Sequence, residues 1–135
     1  MIFSLSFSLT GCKSTEKSGD AGGGFSDNPD NIPSGVYREI SPSDAKKVID
    51  GGECILLDVR TADEFNLRHI PGALLLPVDE LADRAPLELS DKSALIIVYC
   101  RSGARSRRAA EMLLAMEYTD VLDLGGINGW PYETQ

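Results

Sequence analysis

The stretch Ala94-Leu-Ile-Ile-Val-Tyr-Cys-Arg-Ser-Gly-Ala-Arg105 decides the fold of this chain. Its first six residues form a continuous apolar run, which is typical of a strand that is buried on both faces of a parallel sheet. After Gly103 the spacing becomes helical, with apolar side chains at Ala109, Met112, Leu113 and Met116. A buried strand that passes through a short loop into a helix is the basic unit of α/β proteins.

The segments on either side of this stretch continue the alternation of strands and helices. Ser41 followed by Pro42 predicts a helix start, and Gly51-Gly52 ends that helix. Thr61 and Glu64 have the spacing of a capping box, so a second helix begins there. Further strands are predicted at 54–58, 73–76 and 121–124, and a helical turn or two at 78–84. Because no hairpin signal separates the strands, we predict a parallel α/β sheet.

The first 35 residues differ in composition from the rest. Residues 1–12 form an apolar segment too short to span a bilayer, and Leu9-Thr10-Gly11-Cys12 resembles a bacterial lipobox, in which Cys12 carries the lipid. Residues 13–35 have the composition of a flexible polar linker, and one domain follows at 36–135. We therefore expect an extracytoplasmic protein, attached to a bacterial membrane through the lipid alone. A cytoplasmic location is the alternative, because no Lys or Arg precedes the apolar segment.

Charge and cysteine content exclude several classes of protein. The net charge of −8 argues against binding of nucleic acid, which requires clustered cations. The three cysteines, Cys12, Cys54 and Cys100, lie far apart and lack the spacing of zinc ligands. We expect Cys54 to be an unreactive core thiol, and a resolving thiol is the alternative.

Cys100 is the candidate nucleophile. It ends the predicted central strand, and ligands of open α/β sheets bind at that carboxyl edge. Gly103 lets the backbone curl, so that several N–H groups point inward and form a nest for negative charge. The nest, the dipole of the following helix and the nearby arginines all favour thiolate, the nucleophilic form. An ordinary buried cysteine is the alternative, but it leaves the glycine and the arginines unconnected.

Arginines are concentrated around this loop. Arg101, Arg105, Arg107 and Arg108 fall within eight residues that contain no acid. In an acidic chain, such a cluster indicates either a solvated helix face or a site for an anion.

Four motifs together resemble the rhodanese family, in the family's order and over residues 37–130. They are Leu57-Asp58-Val59-Arg60 with Glu64-Phe65, His69-Ile-Pro-Gly-Ala73, Cys100-Arg-Ser-Gly-Ala-Arg105 and Gly125-Gly-Ile-Asn-Gly-Trp130. The third is similar to the family's active-site loop. Arg68 departs from the pattern, since many members carry glycine before the histidine.

The resemblance implies a fold and an activity. The fold is a three-layer α/β domain with a mostly parallel central sheet of about five strands and helices on both faces. The implied reaction is sulfur transfer, in which the Cys100 thiolate takes sulfur from thiosulfate or a persulfide and passes it to a thiol or to cyanide. The loop residues Arg101, Ser102, Gly103, Ala104 and Arg105 bind the anionic donor and the charged sulfur. We expect a monomer that needs no metal or organic cofactor.

Two other functions are compatible with such a loop. Cysteine phosphatases and arsenate reductases use a related loop, but they place five residues between cysteine and arginine, where this chain has four. The shorter loop suits a single sulfur atom better than a tetrahedral oxyanion. A non-catalytic binding or sensing module is the second alternative, although inactive relatives commonly lack the cysteine.

Several motif residues are interpreted as structural. We predict that Arg60 pairs with Glu64 and that Asp58 caps the end of its strand. His69 is interpreted as a hydrogen-bonded turn residue, and Trp130 as a core side chain packed against the Gly125-Gly126 turn.

Overall fold

The computed structural model describes residues 35–135. The predicted signal segment at 1–12, with Cys12, and the linker up to residue 34 lie outside the described residues. The strands are β1 (Arg38–Glu39), β2 (Ile55–Asp58), β3 (Leu74–Leu75), β4 (Leu95–Cys100) and β5 (Asp120–Gly126). The α-helices are α1 (Pro42–Gly51), α2 (Ala62–Leu67), α3 (Leu81–Glu88) and α4 (Ala104–Ala115), and short 3-10 turns lie at Val78–Glu80 and Ile127–Gly129.

The strands form one five-stranded sheet in the order β1-β5-β4-β2-β3, and every neighbouring pair is parallel. The prediction of a parallel α/β sheet is therefore confirmed. Because all strands run in one direction, their carboxyl ends lie along the same edge, and the residues that follow β2, β4 and β5 meet there.

The central strand β4 separates two hydrophobic clusters. Ile96, Val98 and Cys100 belong to a cluster with buried residues of α3 and α4, whereas Ile97 and Tyr99 belong to one that contains Ala45 of α1 and Trp130. Alternate residues of a strand point to opposite faces, so the continuous apolar run of β4 serves both clusters. Helices cover both faces, as the predicted three-layer fold requires.

The predicted helix starts are also confirmed. The Ser41 side chain accepts the backbone N–H of Asp44 at 3.1 Å, at the start of α1. At the start of α2, Thr61 Oγ1 accepts the N–H of Glu64 at 3.3 Å, and Glu64 Oε2 accepts the N–H of Thr61 at 3.2 Å. Gly52 ends α1 with φ +75°, in the left-handed region that favours glycine.

Three details differ from the sequence prediction. Strand β1 was not predicted, because two polar residues carry no apolar alternation. Helix α3 continues to Glu88 with Pro86 inside it, beyond the predicted turn or two. Strand β5 runs through Gly125-Gly126, where the prediction ended it, since both glycines pair with the end of β4. Among residues 35–135, no helix is both long enough and apolar enough to cross a membrane.

Candidate active site

Cys100 is the last residue of β4 and is 1% exposed. Its Sγ accepts the backbone N–H of Gly103 at 3.0 Å. Gly103 has φ +116° and immediately precedes α4, so the chain curls over the sulfur before the helix begins. The hydroxyl of Ser106 donates to the Gly103 carbonyl at 3.0 Å and holds the curl in place. The sulfur therefore lies against an inward N–H at the positive end of a helix, where a negatively charged group is accommodated.

The back of the loop packs against Gly126, the partner of Cys100 in β5. A Cβ at Gly126 would lie 2.7 Å from Ser102 Cα and 2.9 Å from the carbonyl carbon of Arg101, and it would also overlap the Arg101 oxygen. The N–H of Asn128 donates to that oxygen at 3.2 Å. Only glycine lets the two segments approach this closely, so the C-terminal glycine motif sets the position of the loop. Sequence reasoning gave this motif no role at the site.

The loop residues differ in exposure. Arg101, Ser102 and Ala104 are exposed, and Gly103 and Arg105 are half-buried. Among these five residues, Gly103 contacts the Cys100 sulfur through its backbone N–H, and the Arg105 side chain is bound to Glu64. Their outward surfaces leave the loop accessible to a small anion.

Arg105 is held by a carboxylate. Its Nη1 and Nη2 atoms donate to Glu64 Oε2 and Oε1 at 2.8 and 2.9 Å, a bidentate pair. The hydrogen bonds from Arg105, followed by those from Thr61, lower the pKa of Glu64 to about 2. This pair neutralises the charge of Arg105. Because it is bidentate, it also holds the start of α4 against the start of α2. The separation of 41 residues between the partners hid this pair from sequence reasoning.

The predicted pair between Arg60 and Glu64 is wrong. The Nε and Nη2 atoms of Arg60 donate to Asp58 Oδ1 and Oδ2 at 2.9 and 2.6 Å, and Nη2 also donates to the Arg68 carbonyl at 2.7 Å. Asp58 is fully buried and accepts the backbone N–H of Arg60 at 3.0 Å, which confirms its role as a strand-end cap. A buried carboxylate needs a close cation, and the adjacent Arg60 provides it.

Tyr99 completes this buried group. Its hydroxyl donates to Asp58 Oδ2 at 2.8 Å and accepts the N–H of Ile70 at 3.1 Å. Burial, followed by the charge of Asp58, raises the pKa of Tyr99. The residue before the candidate nucleophile thus ties β4 to β2 and to the His69-Ile70 turn.

His69 and Trp130 have the predicted structural roles. His69 Nδ1 hydrogen-bonds the Phe65 carbonyl at 2.9 Å, and its ring stacks on that of Phe65 at 3.8 Å. Trp130 is 8% exposed and packs in the cluster on the α1 face.

Cys54 lies at the opposite edge of the sheet. It precedes β2, whose Ile55 pairs with Ile96, so Cys54 is level with the beginning of β4. Five strand positions separate that level from Cys100, about 16 Å at the rise of a parallel strand. Burial raises the pKa of Cys54. Both the separation and the raised pKa favour the prediction of an unreactive thiol over a resolving one.

Two cavities border the loop. One, of about 370 Å³, is lined by Arg60, Glu64, Leu67, Arg68, Arg101, Ile127 and Asn128. The other, of about 340 Å³, is lined by Tyr37, Glu39, Ile40, Ser102, Gly103, Arg107, Asp123, Leu124 and Gly125. Within residues 35–135, no group of three or more His, Cys, Asp or Glu residues is placed to hold a metal ion.

Comparison with known proteins agrees with this geometry. Residues 41–132 match the family described as Rhodanese-like domain. A protein of Allochromatium vinosum named sulfurtransferase is 38% identical over 99 residues, covering 70% of this chain and 89% of the relative. Thiosulfate sulfurtransferase PspE of Escherichia coli is 35% identical over 71 residues, covering 53% of this chain and 68% of PspE.

A solved structure shows the same fold. The rhodanese-like domain of an Anabaena protein superposes with a TM-score of 0.67 at 28% identity, over 74% of this chain and 80% of that domain. Residues 41–132, which match the family, contain the cysteine loop, the buried network and the C-terminal glycine motif. The chain belongs to the rhodanese-like domain family.

Proposed function

We propose that this protein is a sulfurtransferase that carries sulfane sulfur as a persulfide on Cys100. The observation that carries the proposal is the position of Cys100 Sγ, 3.0 Å from the N–H of Gly103 in a loop that leads directly into α4. Relatives of this chain named thiosulfate sulfurtransferase support the same activity.

The first half-reaction loads the enzyme. The Cys100 thiolate attacks the outer sulfur of thiosulfate, a new S–S bond forms, and the S–S bond of thiosulfate breaks. Sulfite leaves with the electron pair, and the enzyme keeps one sulfur atom as a persulfide anion. A persulfide donor reacts in the same way and releases a thiol. The inward N–H of Gly103 and the positive end of α4 stabilise the negative sulfur throughout.

Some residues of the loop are available to bind the substrate, and others hold the loop in position. Arg101 is exposed and makes no ion pair with an acid of residues 35–135, so it is available to attract the anionic donor. The backbone N–H of Gly103 donates to the sulfur. Arg105 is engaged by Glu64, and we assign it to positioning of the loop instead of direct substrate binding.

The length of the loop disfavours phosphatase or arsenate reductase activity. Four residues separate Cys100 from Arg105, and Arg105 is already neutralised by a carboxylate. A tetrahedral oxyanion would need a wider loop and a free guanidinium. A purely binding or sensing role leaves the placement of the thiol against Gly103 without a use.

Intact-mass measurement tests the proposal. Incubation of the domain with thiosulfate should add the mass of one sulfur atom and release sulfite. Cys100→Ser should gain nothing, and cyanide should remove the added sulfur from the wild type. An added mass that persists in Cys100→Ser, or faster hydrolysis of aryl phosphates than sulfur transfer, contradicts the proposal.

We also propose that Cys12 is lipidated and anchors the domain outside the cytoplasm. The support is the Leu9-Thr10-Gly11-Cys12 sequence and the polar composition of 13–35. A diacylglyceryl group supplies the two acyl chains that stable anchoring generally takes. Fractionation of cells that express wild type and Cys12→Ala tests it. The wild type should remain with membranes after a high-salt wash, and the variant should not. An unmodified Cys12 in soluble wild type would leave the cytoplasmic alternative.

The domain should act as a monomer, because Cys100, its loop and the supporting Glu64 all come from one chain. Light scattering of the purified domain checks this.

A further inference from the structure

The larger cavity beside the loop carries two guanidinium groups without a counter-charge. Arg68 and Arg101 both line it, and neither forms an ion pair with an acid in the described part of the chain. Arg60 also lines it, but Asp58 neutralises that cation. Glu64 contributes no free negative charge, because Arg105 and Thr61 engage its oxygens. The cavity is therefore positive.

This cavity is larger than thiosulfate requires. Its volume of about 370 Å³ equals that of roughly a dozen water molecules at about 30 Å³ each. The five heavy atoms of thiosulfate would fill less than half of it. Leu67, which is 85% exposed, and Ile127 add apolar surface to the lining. The combination of cations and apolar wall suits an organic anion.

The cavity reaches the first residue of the Cys100 loop. Arg101 follows Cys100 directly, and its carbonyl is held by the N–H of Asn128, another lining residue. Arg68 has extended backbone after α2, and its carbonyl accepts Arg60 Nη2 at 2.7 Å. Since Arg60 is itself fixed by Asp58, the base of the Arg68 side chain is fixed, and only its outer part is free to follow a ligand.

We propose that this cavity binds the sulfur acceptor and that Arg68 is a specificity-determining residue for an organic thiol with at least two carboxylates. This inference rests on the proposed function. The acceptor thiolate attacks the outer sulfur of the Cys100 persulfide, a new S–S bond forms, and the bond to Cys100 breaks. Cys100 leaves as thiolate, and the acceptor leaves as a persulfide. Arg68 and Arg101 each pair with one carboxylate, while Leu67 covers the carbon chain.

Steady-state transfer from thiosulfate to two thiols tests the proposal. The probes are mercaptosuccinate, which has two carboxylates, and 2-mercaptoethanol, which is neutral. Arg68→Gln should raise the KM for mercaptosuccinate by about tenfold, the loss of one charged hydrogen-bonded pair. Its kcat and its kinetics with 2-mercaptoethanol should stay as in the wild type. Lys47→Gln removes one exposed cation on α1, away from the cavity, and serves as the matched control.

Calorimetric titration of mercaptosuccinate into Cys100→Ser, with and without Arg68→Gln, measures binding without turnover. Weaker binding in the double variant than in Cys100→Ser supports the acceptor site. This result does not depend on persulfide formation. A wild type that forms no persulfide with thiosulfate would contradict the proposed function, but it would leave this binding result intact. Equal binding in the two proteins, or an Arg68→Gln effect of equal size on both thiols, overturns the inference.

Discussion

Cys54 lies just before β2 and Cys100 ends β4, the neighbouring strand, yet the two cysteines have different surroundings. Cys54 is at the amino edge, in a half-buried position where burial raises its pKa. Cys100 is at the carboxyl edge, where the N–H of Gly103 meets its sulfur and a helix begins. Roughly 16 Å of parallel strand separates the two levels.

The difference lies in the path of the backbone after each cysteine. After Cys54 the backbone enters β2, and its N–H and C=O groups pair with β4. After Cys100 the backbone leaves the sheet, so its N–H groups can turn toward the sulfur. A cysteine in this fold therefore becomes a nucleophile through the geometry of the next few residues, more than through its own burial.

Replacement of each cysteine by alanine should give the largest difference in activity between the two positions. Cys100→Ala should abolish sulfur transfer from thiosulfate to cyanide, because no atom remains to carry the sulfur. Cys54→Ala should keep wild-type rates and lose about 1 kcal/mol of stability, as expected for truncation of a half-buried side chain. Rates and urea denaturation of both variants measure this. Activity in Cys100→Ala, or its loss in a folded Cys54→Ala, contradicts the assignment.

Gly126→Ala should displace the loop at the Cys100 edge of the sheet and leave the structure around Cys54 unchanged. The added Cβ would overlap the backbone of Arg101 and Ser102, so the loop must shift. A displacement of this kind is expected to lower kcat/KM about a hundredfold. Gly126 has φ −105°, which any residue adopts, so strain at alanine itself does not contribute.

Gly129→Ala is the matched control, since its Cβ would meet nothing within 4 Å. Kinetics and melting temperatures of the two variants check the prediction. Wild-type kcat/KM in Gly126→Ala would mean that the loop tolerates the shift.

Alkylation should separate the two thiols in the unmodified protein. At pH 7, iodoacetamide should modify Cys100 at least about tenfold faster than Cys54, because the N–H of Gly103 and the start of α4 lie against the Cys100 sulfur, whereas burial raises the pKa of Cys54. Peptide mass spectrometry over time gives both rates in one sample. Faster modification of Cys54, or equal rates, would show that the loop does not activate the sulfur.

Glu64→Gln should have the smallest effect, confined to the Cys100 edge. The folded pKa of about 2 lies below the ordinary value of 4.5. The carboxylate therefore adds stability that is fully present above about pH 4.5 and is lost as the pH falls toward 2. Wild type should exceed the variant in urea midpoint at pH 6, and the difference should vanish near pH 2.

Activity of Glu64→Gln should fall only severalfold, because glutamine can still accept one hydrogen bond from Arg105. The control is Glu111→Gln, which removes an exposed pair with Arg107 on α4. If the stability difference of Glu64→Gln does not depend on pH, Arg105 does not hold this carboxylate in solution.

Local sequence signals predicted most of the fold. The apolar run of β4 indicated its burial on both faces, and the caps at Ser41 and Thr61 indicated two helix starts, because those signals act within a few residues. Strand β1 was missed because it exists only through its pairing with β5, more than eighty positions later. No local pattern encodes such a pairing.

The site shows the same division. Cys100 and the curl at Gly103 were predicted, since strand, glycine and helix are consecutive. The predicted partner of Glu64 was wrong: Arg60 is near it in sequence, but Asp58 takes Arg60 and leaves Glu64 for Arg105. Which of two arginines reaches a carboxylate depends on the packing of α2 against the loop. The contact of Gly126 with Arg101 depends likewise on the pairing of β4 with β5.

The buried group of Asp58, Arg60 and Tyr99 limits which substitutions the protein can accept during evolution. Loss of Arg60 alone would leave the Asp58 charge inside the protein, and loss of Asp58 alone would strand a cation that is 4% exposed. Either intermediate is strongly destabilised, whereas simultaneous apolar replacement of both is far better tolerated. Substitutions at these positions are therefore epistatic. A different pairing is therefore reached only through a change at both positions, and such a change also removes the carboxylate that accepts the Tyr99 hydroxyl.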